Sequence, residues 1–553
     1  MPLSLYLHTA RHLRPCQVYG RVFRLLPRPL PPALPALRRR ENRGEWVLPA
    51  RREPSMTGPS RFRILNVERN IDGRDDWNAP EIPKLWLYHL HYFDDLNARG
   101  NRERKAWHEP WIARWIRENP PPRGNGWEPY PTSLRIVNWI KWALGGGALS
   151  GEAARSLAAQ AGYLERRLET HLLGNHLFAN AKALAFAGLF FKGDAPDRWL
   201  KKGMKILRGE VREQVLPDGG HFERSPMYHG IILEDLLDLV NLVRSFGAEA
   251  GGECGGSAEG WEETAARMLS WLRVMCHPDG EIALLNDAAF GIAPRPSELE
   301  AYARRLGVQP AAVPRDGATS LAESGYVRIQ EADAVLLLDV GPLGPDYLPA
   351  HGHADTLTFE LSLHGGRVIV DSGTSVYDVG PDRRYQRGTS AHNTVVVDGL
   401  DSSEVWGSFR VARRAKPFGL RVDEREGEIS VECAHDGYLR LPGRVVHRRT
   451  WTVSPGRLSV EDVLAGGFRS ARWSVLLHPE AVERPEETRR EGPPARSGGW
   501  RLPGGPAVRW RVAEGDARYE DARYHPEFGV SKGTVRLAGD FPGSRSRFEL
   551  EWD

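Results

Sequence analysis

Tyr326-Val-Arg-Ile-Gln-Glu-Ala-Asp-Ala-Val-Leu-Leu-Leu-Asp-Val, residues 326–340, reads as two short strands about a polar turn. The same signature returns in Thr356-Leu-Thr-Phe-Glu-Leu-Ser-Leu, Arg367-Val-Ile-Val-Asp, Asn393-Thr-Val-Val-Val-Asp, Arg444-Val-Val-His-Arg-Arg-Thr-Trp-Thr-Val and Arg457-Leu-Ser-Val-Glu-Asp. Each alternates with period two or runs apolar over a strand's length, and turns rich in Gly, Asp and Pro separate them. Many short strands with no helix between them predict an antiparallel β-sandwich.

Working back from this stretch, the period changes. Trp107-His-Glu-Pro-Trp-Ile-Ala-Arg-Trp-Ile, Leu134-Arg-Ile-Val-Asn-Trp-Ile-Lys-Trp-Ala-Leu and Ile231-Ile-Leu-Glu-Asp-Leu-Leu-Asp-Leu-Val-Asn-Leu-Val repeat apolar residues at helical spacing. A short internal repeat, Pro217-Asp-Gly-Gly-His and Pro278-Asp-Gly-Glu-Ile, follows two of the helical runs. It suits helical hairpins that circle a cleft, an α/α toroid. The expected organisation is multidomain, α then β. Residues 1–60 form a basic helix and a Pro/Arg-rich linker, 61–315 a toroid, and 316–553 the sandwich.

At 553 residues the chain exceeds one ordinary core. Its 75 basic and 72 acidic residues leave a net charge of +3, which argues against bulk nucleic acid as a partner. Basic excess is local: residues 1–60 hold eleven Arg against three Glu, with no Asp or Lys. Leu7 to Leu26 reads as one amphipathic basic helix, suited to packing on the protein or touching an anionic surface. No apolar run is long enough for a membrane span, and no secretory signal is evident, so the compartment stays open. Cys16, Cys254, Cys276 and Cys433 show neither disulfide nor metal spacing and read as unpaired thiols.

Four polar clusters interrupt apolar surroundings. Gly174-Asn-His-Leu-Phe-Ala-Asn-Ala-Lys begins a helix, where Asn175 serves equally as an N-cap and His176 as a core histidine. Asp218-Gly-Gly-His-Phe-Glu-Arg-Ser-Pro-Met-Tyr-His holds Tyr228 just after a Pro-restricted turn. His351-Gly-His-Ala-Asp offers two imidazoles on one side of an extended chain. Asp371 and His392, at other strand ends, complete with His353 a set able to hold Zn²⁺. Between them lies Asp382-Arg-Arg-Tyr-Gln-Arg, an arginine loop suited to carboxylate or sulfate groups.

Taken in order, these clusters resemble the motifs of the heparinase II/III family of polysaccharide lyases. The likeness extends from Leu85-Trp-Leu-Tyr-His-Leu-His-Tyr-Phe-Asp through Trp127-Glu-Pro-Tyr-Pro-Thr-Ser-Leu-Arg and Arg387-Gly-Thr-Ser-Ala-His-Asn-Thr to His435-Asp-Gly-Tyr. It implies an incomplete (α/α) toroid before an antiparallel β-sandwich, with catalysis between them. It also implies β-elimination on a uronic-acid-containing acidic polysaccharide, glycosaminoglycan-like or a bacterial exopolysaccharide. Asn175 and His176 would then bind the uronate carboxylate, Tyr228 act as acid/base and His351 as the second proton-transfer group. His353, Asp371 and His392 match positions that hold a structural zinc ion in some members. Substrate contacts are expected from Arg135, Arg224, His229, Arg383, Arg384 and Arg387, and the positive charge of His229, Arg224 or His176 is expected to lower the Tyr228 pKa.

The N-terminal stretch is similar to relatives associated with capsule or exopolysaccharide production. Two other readings stay open: a glycoside hydrolase using Glu223 and Asp218, and a non-catalytic polysaccharide-binding protein of an assembly system. The sequence leaves oligomeric state open.

Overall fold

The structure, a computed structural model, describes residues 3–32, 37–42, 44–247, 257–481, 495–503 and 505–553. Helices come first in the chain. After α1 (Leu3–Ala10) and α2 (Pro15–Arg24), the toroid is built from α3 (Lys84–Tyr92), α4 (Lys105–Glu118), α5 (Pro129–Leu144), α6 (Gly151–Glu165) and α7 (Gly174–Phe190). It continues through α8 (Asp194–Gln214), α9 (Pro226–Phe246), α10 (Ser257–Val274) and α11 (Pro296–Arg305).

Inner and outer helices differ as their sequences demand. α7 is Ala-rich and buried along almost its whole length, so it runs through the middle of the helical half. α8 shows one apolar stripe, Trp199, Leu200, Met204, Leu207 and Val211, and lies outside it. The two approach so closely that a Cβ added at Gly203 would lie 2.7 Å from the Ala181 carbonyl oxygen. The short repeat is one structural device used twice. Val215 bridges His221, and Cys276 bridges Ile282, each across a tight turn with a glycine at positive φ, Gly219 or Gly280.

The first strand of the C-terminal half begins at Gly317. A five-stranded antiparallel sheet comprises Gly317–Leu321, Tyr326–Glu331, Ala334–Asp339, Phe359–Leu363 and Gly366–Ile369. A seven-stranded, a four-stranded and a two-stranded sheet, also antiparallel, make up the rest of the sheet structure among the described residues of the β half. Val446–Ser454 buries alternate residues and pairs with Arg457–Ala465, placing Trp451 opposite Val460. Ala334–Asp339 is buried on both faces: Leu336 and Leu338 join the β core, while Leu337 packs with Trp271, Val274 and Met275 of the helical half.

Three segments differ from expectation. Residues 56–70, which straddle the end of the expected linker and the start of the expected toroid, form three short antiparallel strands, and helix resumes only at Lys84. The N-terminal helix is broken in two, because Pro15 lacks an N–H and starts a new helix at its first position. The stretch expected to be a linker lies along the toroid: Arg38–Arg39 pairs with Phe191–Lys192, and Val47 exchanges hydrogen bonds with Asn241. Cys16, Cys276 and Cys433 are unpaired thiols; Cys254 lies outside the described residues.

Candidate active site

A cavity of about 510 Å³ opens between the helical and β halves. Asn175, His176, Tyr228 and His351 all line it. Local structure explains their convergence. Leu173 and Gly174, both at positive φ, turn the chain into α7 and put Asn175 in its first turn. Ser225 caps α9 by accepting a hydrogen bond from the Tyr228 N–H, with Pro226 at the first position. His351 arrives from the β half on the irregular segment before Phe359.

The Tyr228 ring stacks on the His351 imidazole with centroids 3.8 Å apart. The Asn175 Nδ2 lies 3.5 Å from His351 Nε2 and donates to Glu223 Oε1 at 3.3 Å. His176 bonds through Nδ1 to Glu169 Oε2 at 3.1 Å, and its ring lies against Tyr130. The Tyr228 hydroxyl meets that of Tyr377 at 3.3 Å. Burial first, then the neighbouring Tyr377, raises the Tyr228 phenol well above its usual pKa, the reverse of the expected lowering.

Asp287 organises this wall, and the sequence reading passed over it. Its Oδ2 accepts from His351 Nδ1 at 2.9 Å and from Arg383 Nη2 at 2.7 Å. Its Oδ1 accepts from His353 Nε2 at 2.8 Å. Although burial opposes its charge, Arg383, His351 and His353 hold the carboxyl well below the usual range. Glu223, considered earlier only as a hydrolase acid, is the second missed partner. Burial pushes its carboxyl up, and its Oε2 lies 3.5 Å from His351 Nε2. Asp218 is not in the cavity; it accepts hydrogen bonds from the Ser324 backbone and hydroxyl, so the proposed carboxylate pair with Glu223 does not form.

None of the six basic residues expected to meet substrate lines the cavity. Arg135 is buried over the Trp115 ring and donates to Gln160 and to the carbonyl of Gly126. Arg224 donates to the carbonyls of Ser324 and Glu323 in the β half. His229, one helical step of about 100° from Tyr228, faces the other way, stacks on Trp271 and bonds the Met268 carbonyl. The arginine loop is a short helix, α12 (Pro381–Arg387). Arg383 and Arg387, one turn apart, point inward, to Asp287 and to the Gly352 carbonyl, while Arg384 faces solvent. The cations that do line the cavity are already paired: Arg52 with Glu234, Lys84 with Glu128, Lys141 with Glu234 and Asp238, and Lys182 with Asp235 and Asp238.

Behind His351 lies a buried group able to hold a metal ion, His353, Asp355 and His392, with ligand atoms within 4.8 Å of one another. His353 Nδ1, His392 Nε2 and Asp355 Oδ2 are all buried without a hydrogen-bond partner. Of the expected ligands, His353 and His392 belong to this group, whereas Asp371 accepts from His392 Nδ1 at 2.7 Å and the carboxylate of the group is that of Asp355. A lone Asp between two imidazoles is costly to bury as an anion, and burial pushes Asp355 up to about 6.

The comparisons agree with this architecture. Residues 151–302 match the family described as Heparinase II/III N-terminus, and residues 313–553 that described as Heparinase II/III-like, C-terminal. The chain belongs to the heparinase II/III family. A crystal structure of heparinase III superposes with a TM-score of 0.69 at 17% identity, covering 97% of this chain and 89% of that one. A heparin-sulfate lyase of Bacteroides stercoris is 26% identical over 255 residues, 42% of this chain and 37% of that protein. The corresponding enzyme of Pedobacter heparinus is 26% identical, over 45% of this chain and 39% of its own length. The chain thus spans about two-fifths of these curated lyases. FtsZ-localized protein C of Caulobacter vibrioides is 24% identical over 455 residues, 79% of this chain and 74% of that one.

Proposed function

We propose that this protein is a polysaccharide lyase that cleaves a uronic-acid-containing acidic polysaccharide by β-elimination. The single observation that carries the reading is the meeting, on one cavity wall, of the Asn175 amide, the Tyr228 phenol and the His351 imidazole, whose Nδ1 is held by Asp287.

Elimination removes the proton on C5 of a uronic acid, next to a carboxylate whose charge opposes carbanion formation. Asn175 Nδ2 and the Nε2–H of a protonated His176, whose Nδ1–H is given to Glu169, disperse that charge, as oxyanion-hole donors do. Glu223 orients the Asn175 amide. His351 donates from Nδ1 to Asp287, which leaves Nε2 as the base for the C5 proton. The C5–H electrons form the C4–C5 double bond, and the C4–O bond breaks. Tyr228, kept protonated by burial, gives its proton to the departing oxygen. The lysines and the arginine beside the sugar are already paired with protein carboxylates, so the uronate carboxylate is recognised by Asn175 and His176, and an unsulfated uronate polymer suits the cavity better than a heavily sulfated one.

A zinc ion fits the three unpartnered ligand atoms of His353, Asp355 and His392, with Asp371 orienting His392 through a hydrogen bond. When bound, it ties together the chain segments that carry His353 and His392, as a structural ion does.

The test is a panel of uronate polymers, both glycosaminoglycans and bacterial exopolysaccharides, incubated with the full-length protein. A rise in ultraviolet absorbance from a conjugated double bond with at least one polymer is expected. Binding without turnover across the panel would instead support a polysaccharide-binding protein, and saturated products a hydrolase.

A further inference from the structure

We propose that the outward face of α1 and α2 docks the protein on an anionic lipid bilayer. Of the eighteen large apolar side chains exposed among the described residues, ten lie within residues 3–30. Such a concentration is foreign to an ordinary solvated surface and marks an interaction site.

The two faces of α2 have separate tasks. Gln17, Gly20 and Arg24, about one turn apart, form the inner face. Gln17 is buried and donates to the Tyr347 carbonyl at 3.1 Å, Arg24 meets His171 Nε2 at 2.8 Å, and a Cβ at Gly20 would lie 2.7 Å from the His171 Cβ. Val18, Tyr19, Val22, Phe23 and Leu26 form the opposite stripe, with Phe23 66% exposed and the adjoining Leu25 85% exposed. α1 is fixed too, by the Thr9 hydroxyl on the Val411 carbonyl and by the Tyr6 ring on Trp406. The stripe is therefore held outward by a docked scaffold.

Charge selects the partner. The first forty residues contain eight Arg and no Asp, Glu or Lys; Arg14, Arg28 and Arg40 pair with Glu213, Glu128 and Asp197 of the toroid. Arg11 and Arg21 are exposed beside the stripe. Apolar side chains that enter the headgroup region, flanked by arginines that meet lipid phosphates, are the chemistry of an interfacial helix. No helix among the described residues is long and apolar enough to cross a membrane, so the contact is peripheral. A soluble acidic polymer would satisfy the arginines and leave the stripe in water. A second copy would bring arginine against arginine.

The experiment is co-sedimentation of the full-length protein with vesicles of phosphatidylcholine alone, or of phosphatidylcholine mixed with phosphatidylglycerol. Binding to the mixed vesicles at least about tenfold stronger, and weakened by salt, is expected. The double variant Val22→Glu, Phe23→Glu should lose it while keeping the thermal melt of the parent, since both side chains are exposed. Equal binding to the two vesicle types, no binding to either, or undiminished binding of the variant would overturn the proposal. So would a dimer in size-exclusion chromatography that the variant converts to monomer without any lipid binding.

Discussion

His351 donates from Nδ1 to Asp287 at 2.9 Å, and this one bond decides which nitrogen of the histidine faces the cavity. Asp287 does the same for His353 through its other oxygen, leaving the Nδ1 of that ring free for a metal ion. One carboxylate thus sets the tautomers of a base and of a ligand.

Replacing Asp287 tests that role. Asp287→Asn keeps the shape but leaves the Arg383 guanidinium buried without its counter-ion. A destabilisation of about 3 kcal/mol or more is expected in urea unfolding. Arg383→Met in the Asp287→Asn background should recover part of it, because both buried charges are then gone.

Tyr228→Phe removes the proposed proton donor and one hydrogen bond, to Tyr377. The rate of unsaturated-product formation should fall about 10²–10⁴-fold, with the melting temperature close to that of the parent. A variant that keeps its rate would remove Tyr228 from the chemistry.

Sulfate should not help binding. Because each lysine and arginine lining the cavity already faces a protein carboxylate, a sulfate group there finds no free cation. For one uronate backbone prepared with and without sulfation, kcat/KM should be at least about tenfold higher for the unsulfated form, corresponding to about 1.4 kcal/mol. The reverse order would show that the paired cations open to substrate.

Metal content separates two aspartates. Elemental analysis of Asp355→Asn should show the ion lost, whereas Asp371→Asn should retain it with affinity lowered about 10–100-fold. Chelation of the parent should lower its melting temperature, and added zinc should restore it.

Acid stability has a separate anchor. Burial opposes the charge of Asp462, but Arg449 and His447 hold its carboxyl at about 2. Arg449 in turn donates to the carbonyls of Leu357 and Asn393, beside the segments that carry Asp355 and His392. A depressed carboxyl adds stability that is fully present above its unfolded pKa and lost as pH falls through the folded one. About 2 kcal/mol should therefore vanish between about pH 4 and pH 2, and acid titrations of Asp462→Asn should lack that component.

Period and turn chemistry carried most of the fold in the sequence. The 61-residue repeat is a real structural echo, and strands such as Val446–Ser454 bury the alternate residues that their pattern indicates. Residues 62–70 were misread as helical because four-residue strands are too short to show a period. The wall formed by Asn175, His176, Tyr228 and His351 was legible through its motifs. Asp287 was not, since its partners lie 64 to 96 positions away. The arginines misled for a related reason: Arg135 buried on an indole and a solvated arginine are the same letter. Only the fold distinguishes a guanidinium that props up a scaffold from one that meets a ligand.

Leu337 packs on Trp271 of the helical half, while its neighbours Leu336 and Leu338 face the β core, so one strand closes both interiors. The border where periodicity changes is therefore a poor place for scissors. A fragment ending near residue 315 would uncover Trp271, and its complement would uncover Leu337. Shuffling halves between relatives should succeed only when this sheet travels with the helices it seals.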